Sequence, residues 1–176
     1  MRYVELRRHT DNDGDELTER GIADAEAIGR DSLHPPYDAF TSSGAARANQ
    51  MLGILRHAAG QDDVPMSEAT GLRSTVEDRW RAAAKTAGKG ATVEDMRTVD
   101  PELVEQDSRL LGSALKQVVD ALPDGGRALV VGHSPTNEAA VLGLTGDVVA
   151  PLGKGEGVLV VEADGHYRTE SLGGES

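Results

Sequence analysis

Cysteine is absent from the 176-residue chain. No disulfide framework, thiolate zinc site or cysteine nucleophile can be built from it, and the absence fits a reducing compartment. Aromatic side chains are scarce: one Trp, one Phe and three Tyr. The core must therefore come from Val, Leu, Ile and Ala, and 21 glycines suit close packing of helices on a sheet. No apolar run reaches the roughly 20 residues that a membrane span needs. The opening MRYVELRRHT has no long apolar stretch and no small-residue cleavage site, so it does not read as a signal peptide. Basic residues are outnumbered, 18 against 30 acidic, for a formal charge of −12. Such a surface repels nucleic-acid backbone and anionic lipid. These absences predict a soluble, cytoplasmic protein with no nucleic-acid or membrane partner. At this length a single domain can bury a core without covalent staples.

What is present alternates between strands and helices. Tyr3 to Leu6 reads as a strand, followed by the polar turn DNDGDE. LTERGIADAEAIGR has helical spacing of Ile22, Ala25 and Ile28, with Thr18 as its N-cap. YDAFTSS gives a second strand ending at Ser42 and Ser43, and AARANQMLGILRHAA a second helix. Residues 69–100 are the least regular: STVEDRWRAAAKTA reads as one helix and GKGA as a flexible loop. PELVEQDSRLLGSALKQVVDALP is an amphipathic helix with Pro101 in its first turn. The apolar run Ala128 to Val131 suits a central parallel strand covered on both faces, and PTNEAAVLGL returns to helix. GVLVVEADGHYRTESL reads as a hairpin turning at Asp164-Gly165. The pattern predicts a single α/β domain: three layers, α/β/α, with a mostly parallel central sheet and an antiparallel C-terminal hairpin.

Three polar clusters follow predicted strand ends: Arg8-His9, Ser42 to Arg47, and Gly132-His133-Ser134-Pro135. In open α/β sheets ligands bind at that edge. Two arginines and two histidines gathered there would repel one another unless an anion sat between them, and a phosphoryl group matches the arginine fork. Arg8 and Arg47 would also lower the pKa of a neighbouring imidazole and hold it neutral and nucleophilic.

The stretches LRRHT, LTERG, FTSSGAARANQ and VVGHSPTNEAAVLG, in that order, resemble the histidine phosphatase superfamily, the phosphoglycerate-mutase-like fold. The resemblance covers nearly the whole chain except residues 69–100. It implies a phosphate pocket of Arg8, His9, Arg47 and His133. His9 would be the nucleophile, forming a transient phosphohistidine, and the other three would hold the equatorial oxygens. No metal or other cofactor is implied. The family's glycine after the nucleophile is Thr10 here, so either the backbone angle is ordinary or the hydroxyl contacts phosphate. Asn12 reaches the phosphate or makes a turn. Ser42 and Ser134 are further candidate contacts, although Ser42 and Ser43 also suit loop capping.

For the proton donor the resemblance points to Glu68, with Asp11 and Asp13 as rivals. The compact tail is similar to the branch containing SixA-type phosphohistidine phosphatases, while the longer 69–100 segment resembles the partial lid of small-molecule phosphatases such as α-ribazole phosphatase. Trp80, Arg73, Arg79 and Arg81 would line such a lid or lie on a solvated helix. Arg47 could alternatively pair with Asp38. His34, His57 and His166 read as surface residues, and no metal site is predicted. The expected substrate is a small phosphorylated metabolite or a phosphohistidine-bearing protein, and the expected state a monomer or weak dimer. A phosphoglycerate-mutase-type transferase and a catalytically weak phospho-ligand binding module are the alternatives.

Overall fold

In strand β1 (Arg2–Arg8), Val4 and Leu6 face one side of the sheet, Glu5 and Arg7 the other, and all four are buried. A strand buried on both faces needs cover on both. The computed structural model, which describes residues 1–172, supplies it with helices. The elements that follow are β2 (Asn12–Asp13), β3 (Glu16–Leu17), α1 (Glu19–Asp31), β4 (Ala39–Ser42), α2 (Ala46–Ala58) and β5 (Met66–Glu68). Then come α3 (Glu77–Ala87), α4 (Val93–Val99), α5 (Pro101–Asp120), β6 (Arg127–Gly132), α6 (Thr136–Thr145), β7 (Gly157–Ala163) and β8 (His166–Ser171).

The main sheet runs β5-β4-β6-β1-β7-β8. Its β5, β4, β6 and β1 are parallel, and the β7-β8 hairpin joins β1 antiparallel. This is the three-layer α/β architecture the pattern predicts. Asp164 and Gly165 both have positive φ, 53° and 79°, as a primed turn requires. On one face Val4, Leu6, Ala128 and Val130 pack with residues of α3 to α6; on the other Phe40, Leu129 and Val131 pack with α1 and α2. The alternation along β6 is what made its apolar run continuous.

The helix ends are set locally. Thr18 caps α1, accepting from Gly21 N at 3.0 Å. Asp100 caps α5 ahead of Pro101. Residues 69–100 differ most from expectation. The helix there starts at Glu77, and α4 was not foreseen although Thr92 and Asp95 form a capping box at its start. Seven residues are too few for an apolar period to stand out. Trp80 neither lines a lid nor lies on a solvated face: it is 1% exposed, and its Nε1 donates to the Asp107 carboxylate at 2.6 Å. Ser74 donates to the same oxygen at 2.7 Å. Arg79 and Arg81 stand on the surface in ion pairs with Asp100 and Asp78. No helix among the described residues is long and apolar enough to cross a membrane.

Candidate active site

The order β4-β6-β1 makes three strand ends neighbours. Arg8 pairs with Gly132, and Ser42 with Val131. Backbone bonds carry the alignment one residue further: His9 N to Gly132 O at 3.1 Å and Ser43 N to Val131 O at 3.2 Å. Asn137, in the first turn of α6 and 1% exposed, fastens the two central ends together. Its Oδ1 accepts from His133 N at 3.2 Å and its Nδ2 donates to Arg7 O at 3.1 Å.

His9 and His133 therefore meet, with ring centroids 5.2 Å apart and planes at 63°. Arg47, from the first turn of α2, reaches both. Its Nε donates to His9 Nε2 at 3.3 Å and its Nη2 to His133 Nδ1 at 3.3 Å. On the far sides, His9 Nδ1 lies 2.8 Å from Thr10 O and His133 Nε2 lies 2.6 Å from Ser43 Oγ. A neutral His9 must donate from Nδ1 to that carbonyl, which leaves the lone pair on Nε2. By the same reasoning His133 donates from Nε2 to Ser43.

Both rings are buried, 5% and 8% exposed. Burial is the main reason the His9 pKa is lowered from 6.5 to about 4; Arg47, Arg8 and Lys154 add to it, and the Thr10 carbonyl opposes. His133 is lowered to about 3, again first by burial, then by Arg47, His9 and Arg73, with Asp15 opposing. The arginines act in the expected direction, but removal from water is the larger cause.

The other predicted residues fall as follows. Arg8 makes no hydrogen bond to either ring: its Nη1 donates to Leu152 O at 2.7 Å and its Nε is buried without a partner. Thr10 has no positive φ, and its hydroxyl donates to Gly21 O at 2.7 Å rather than standing free for phosphate. The position of α1 explains the LTERG motif. Thr18 binds the Asp11 backbone and carboxylate, and a Cβ on Gly21 would collide with the Asp11 carbonyl. Asn12 makes the turn, donating to Gly14 O at 2.8 Å and accepting from Lys154. Ser42 donates to Asn49 and accepts from Gly44 N at 3.0 Å; Ser134 donates to the buried Glu138. The polar side-chain groups of these four residues are thus already engaged within the protein.

Glu68 ends β5 at the same sheet edge. It is exposed, accepts from Asn49 Nδ2 at 3.0 Å and lies against Gly44. Bonds from Thr18 and Lys154 hold the Asp11 carboxyl below the usual range, which disfavours it as a proton donor. Arg47 pairs with Asp15 at 2.8 Å and not with Asp38, which instead accepts from Arg127 N. Sequence reasoning did not single out Asp15, Asn137 or Lys154, nor assign Ser43 to His133. DNDGDE reads only as a polar turn, and nothing in it says which carboxylate faces Arg47. Among the described residues, no three His, Asp or Glu side chains converge as a metal-binding group.

No family model and no curated protein matches this chain. Solved structures do. A phosphoglycerate mutase from Bacillus anthracis is 20% identical, with 97% of this chain and 92% of that one covered and a TM-score of 0.67. Bacillus stearothermophilus YhfR is 18% identical, covering 96% and 95%, with a TM-score of 0.69. A mycobacterial glucosyl-3-phosphoglycerate phosphatase, solved with inorganic phosphate, is 18% identical, covering 98% and 99%, with a TM-score of 0.67. At such identities the likeness establishes the fold, which is phosphoglycerate-mutase-like.

Proposed function

We propose that the chain is a metal-independent phosphatase working through a phosphohistidine on His9. One observation carries this reading: two buried, neutral imidazoles share one guanidinium, and the lone pair of His9 Nε2 faces it. A phosphoryl group arriving there offers Arg47 better acceptors than two imidazole nitrogens. Arg47 Nε turns to a phosphate oxygen, and Nε2 is released to attack phosphorus. The bond from phosphorus to the leaving atom breaks, its electron pair leaves with that atom, and Glu68 supplies the proton. The Thr10 carbonyl stabilises the Nδ1–H of the cationic phosphoimidazole. Water then attacks the same phosphorus, returns a proton to Glu68 and frees His9 and inorganic phosphate. Arg8 through its unpartnered Nε, and His133 in the tautomer with the proton on Nδ1, which Ser43 Oγ supports by donating to Nε2, complete the hold on the oxygens, whose charge dominates the transition state. The substrate is a small phosphorylated metabolite or a phosphohistidine-bearing protein.

The test is hydrolysis of p-nitrophenyl phosphate and of an alkyl phosphate with a metal chelator present. The wild-type chain turns over both. Glu68→Gln spares kcat/KM for the aryl ester, whose leaving group needs no acid, and lowers kcat/KM for the alkyl ester by about 10²-fold or more. No turnover of any phosphoester or phosphoramidate by the wild-type chain rejects the reading in favour of a binding module.

The pH dependence has a definite sign. Protonation removes the attacking lone pair, and the His9 pKa is lowered to about 4. On acidification, kcat/KM therefore holds through 6.5, the ordinary histidine value, and drops only as His9 itself titrates. A break at the ordinary value in the free-enzyme profile contradicts the buried, neutral nucleophile.

A further inference from the structure

The Arg47 guanidinium is held on three sides. Nε and Nη2 face His9 and His133, while Nη1 donates to Asp15 Oδ1 at 2.8 Å. Asp15 is itself seated on the start of α2. Its Oδ1 accepts from Arg47 N at 3.3 Å and its Oδ2 from Ala46 N at 3.4 Å. The β2-β3 hairpin delivers it there, and Leu17 N in β3 bonds to Gln50 of α2 at 3.0 Å. One carboxylate thus grips both ends of a single residue, the backbone and the guanidinium tip. Only the Nε–Nη2 edge is left facing the imidazoles, and that edge presents two parallel N–H donors to an oxyanion.

We propose that Asp15 is the positioning residue of the site: it fixes Arg47 by Nη1 so that the Nε–Nη2 fork points at the place the phosphoryl group occupies. This rests on the phosphatase reading of that place. A long side chain that must find its fork geometry after the ligand arrives loses the advantage of preorganisation. Asp15 removes that search while taking up none of the donors that face the imidazoles. Its charge also stands on the side of Arg47 away from the fork.

The test is a mutant cycle read by p-nitrophenyl phosphate kinetics and by calorimetric titration with inorganic phosphate. Asp15→Ala is expected to lower kcat/KM by about 10- to 100-fold and to weaken phosphate binding. Asp15→Asn, which keeps an acceptor for Nη1, recovers most of the loss. In an Arg47→Ala background, Asp15→Ala costs less than about twofold more, because the residue it orients is gone. A merely structural hairpin would instead cost the same in both backgrounds, and that result overturns the proposal. So does an active wild type with an unaffected Asp15→Ala variant, or tighter phosphate binding by that variant, as a competing carboxylate would give. A wild-type chain that neither binds phosphate nor turns over an ester fails at the phosphatase reading, and this inference falls with it.

Discussion

His9→Ala is expected to lower kcat/KM for p-nitrophenyl phosphate by about 10⁴-fold or more, and to abolish the phosphorylated protein trapped by rapid denaturation of the wild type at neutral to alkaline pH. The magnitude follows from what is removed. Alanine leaves the Arg47 fork, His133 and the strand-end backbone in place, so oxyanion binding persists while the covalent route disappears. Binding of inorganic phosphate should therefore survive, or tighten, since Arg47 Nε no longer has the His9 nitrogen as a partner. The trapped species separates this from a general loss of structure: the wild type yields acid-labile protein-bound phosphate and the variant none. His9→Asn repeats the measurement with a side chain that keeps an amide donor near the Thr10 carbonyl. Residual activity above a tenth of wild type in both variants would remove His9 from the nucleophile role.

The largest stability effect is expected in β1, four residues before His9. Glu5 is 0% exposed, and one of its oxygens accepts from Arg7 Nε at 2.8 Å, the other from Tyr37 Oη at 2.8 Å. Arg7 in turn donates from Nη1 to Gly155 O and from Nη2 to Ser32 O. One buried pair thus joins β1 to the segment after α1 and to the 150–157 loop. Burial and the Glu5 charge push the Tyr37 hydroxyl well above its usual range, so it remains a donor. Glu5→Ala leaves the buried Arg7 charge without its carboxylate and the Tyr37 hydroxyl without its acceptor, and the expected cost is about 3–5 kcal/mol. Glu5→Gln, which retains an acceptor, costs less. Urea denaturation reads the difference as a fall in midpoint at nearly constant slope. A loss under about 1 kcal/mol for Glu5→Ala would mean that water or a rearranged Arg7 takes over the bonds, since surface pairs are worth no more than that.

These two residues also show what a linear reading can and cannot see. Glu5 and His9 belong to one short stretch, and the strand was legible because Val4 and Leu6 alternate with neighbours that look polar. The polar side of that strand is buried as well, because α1, α2 and their connections cover it. The partner of Arg7 could be guessed two residues away, since i and i+2 share a face. Tyr37 as the second donor could not, because it arrives from across the layer.

The site divides the same way. Arg8-His9, Arg47 and His133 were singled out because each follows a strand end, and parallel strands bring such ends to one edge; the structure brings His9, Arg47 and His133 together, while Arg8 Nη1 turns to Leu152 O. Trp80 was misplaced because a lone aromatic among arginines looks like a solvated stripe, and only α5, with Asp107 waiting for its N–H, makes it core. Thr10 stood open until α1 offered a carbonyl to its hydroxyl.

Strand periodicity and the identity of the polar residues that follow each strand were thus determined by the sequence alone, since they depend on neighbours along the chain. The tertiary structure decided which carboxylate holds Arg47, which oxygen fixes each imidazole, and how far each ring is removed from water. Those depend on loop register and on layers closing over one another, and hydrogen bonding and desolvation act between groups that the chain order does not make neighbours.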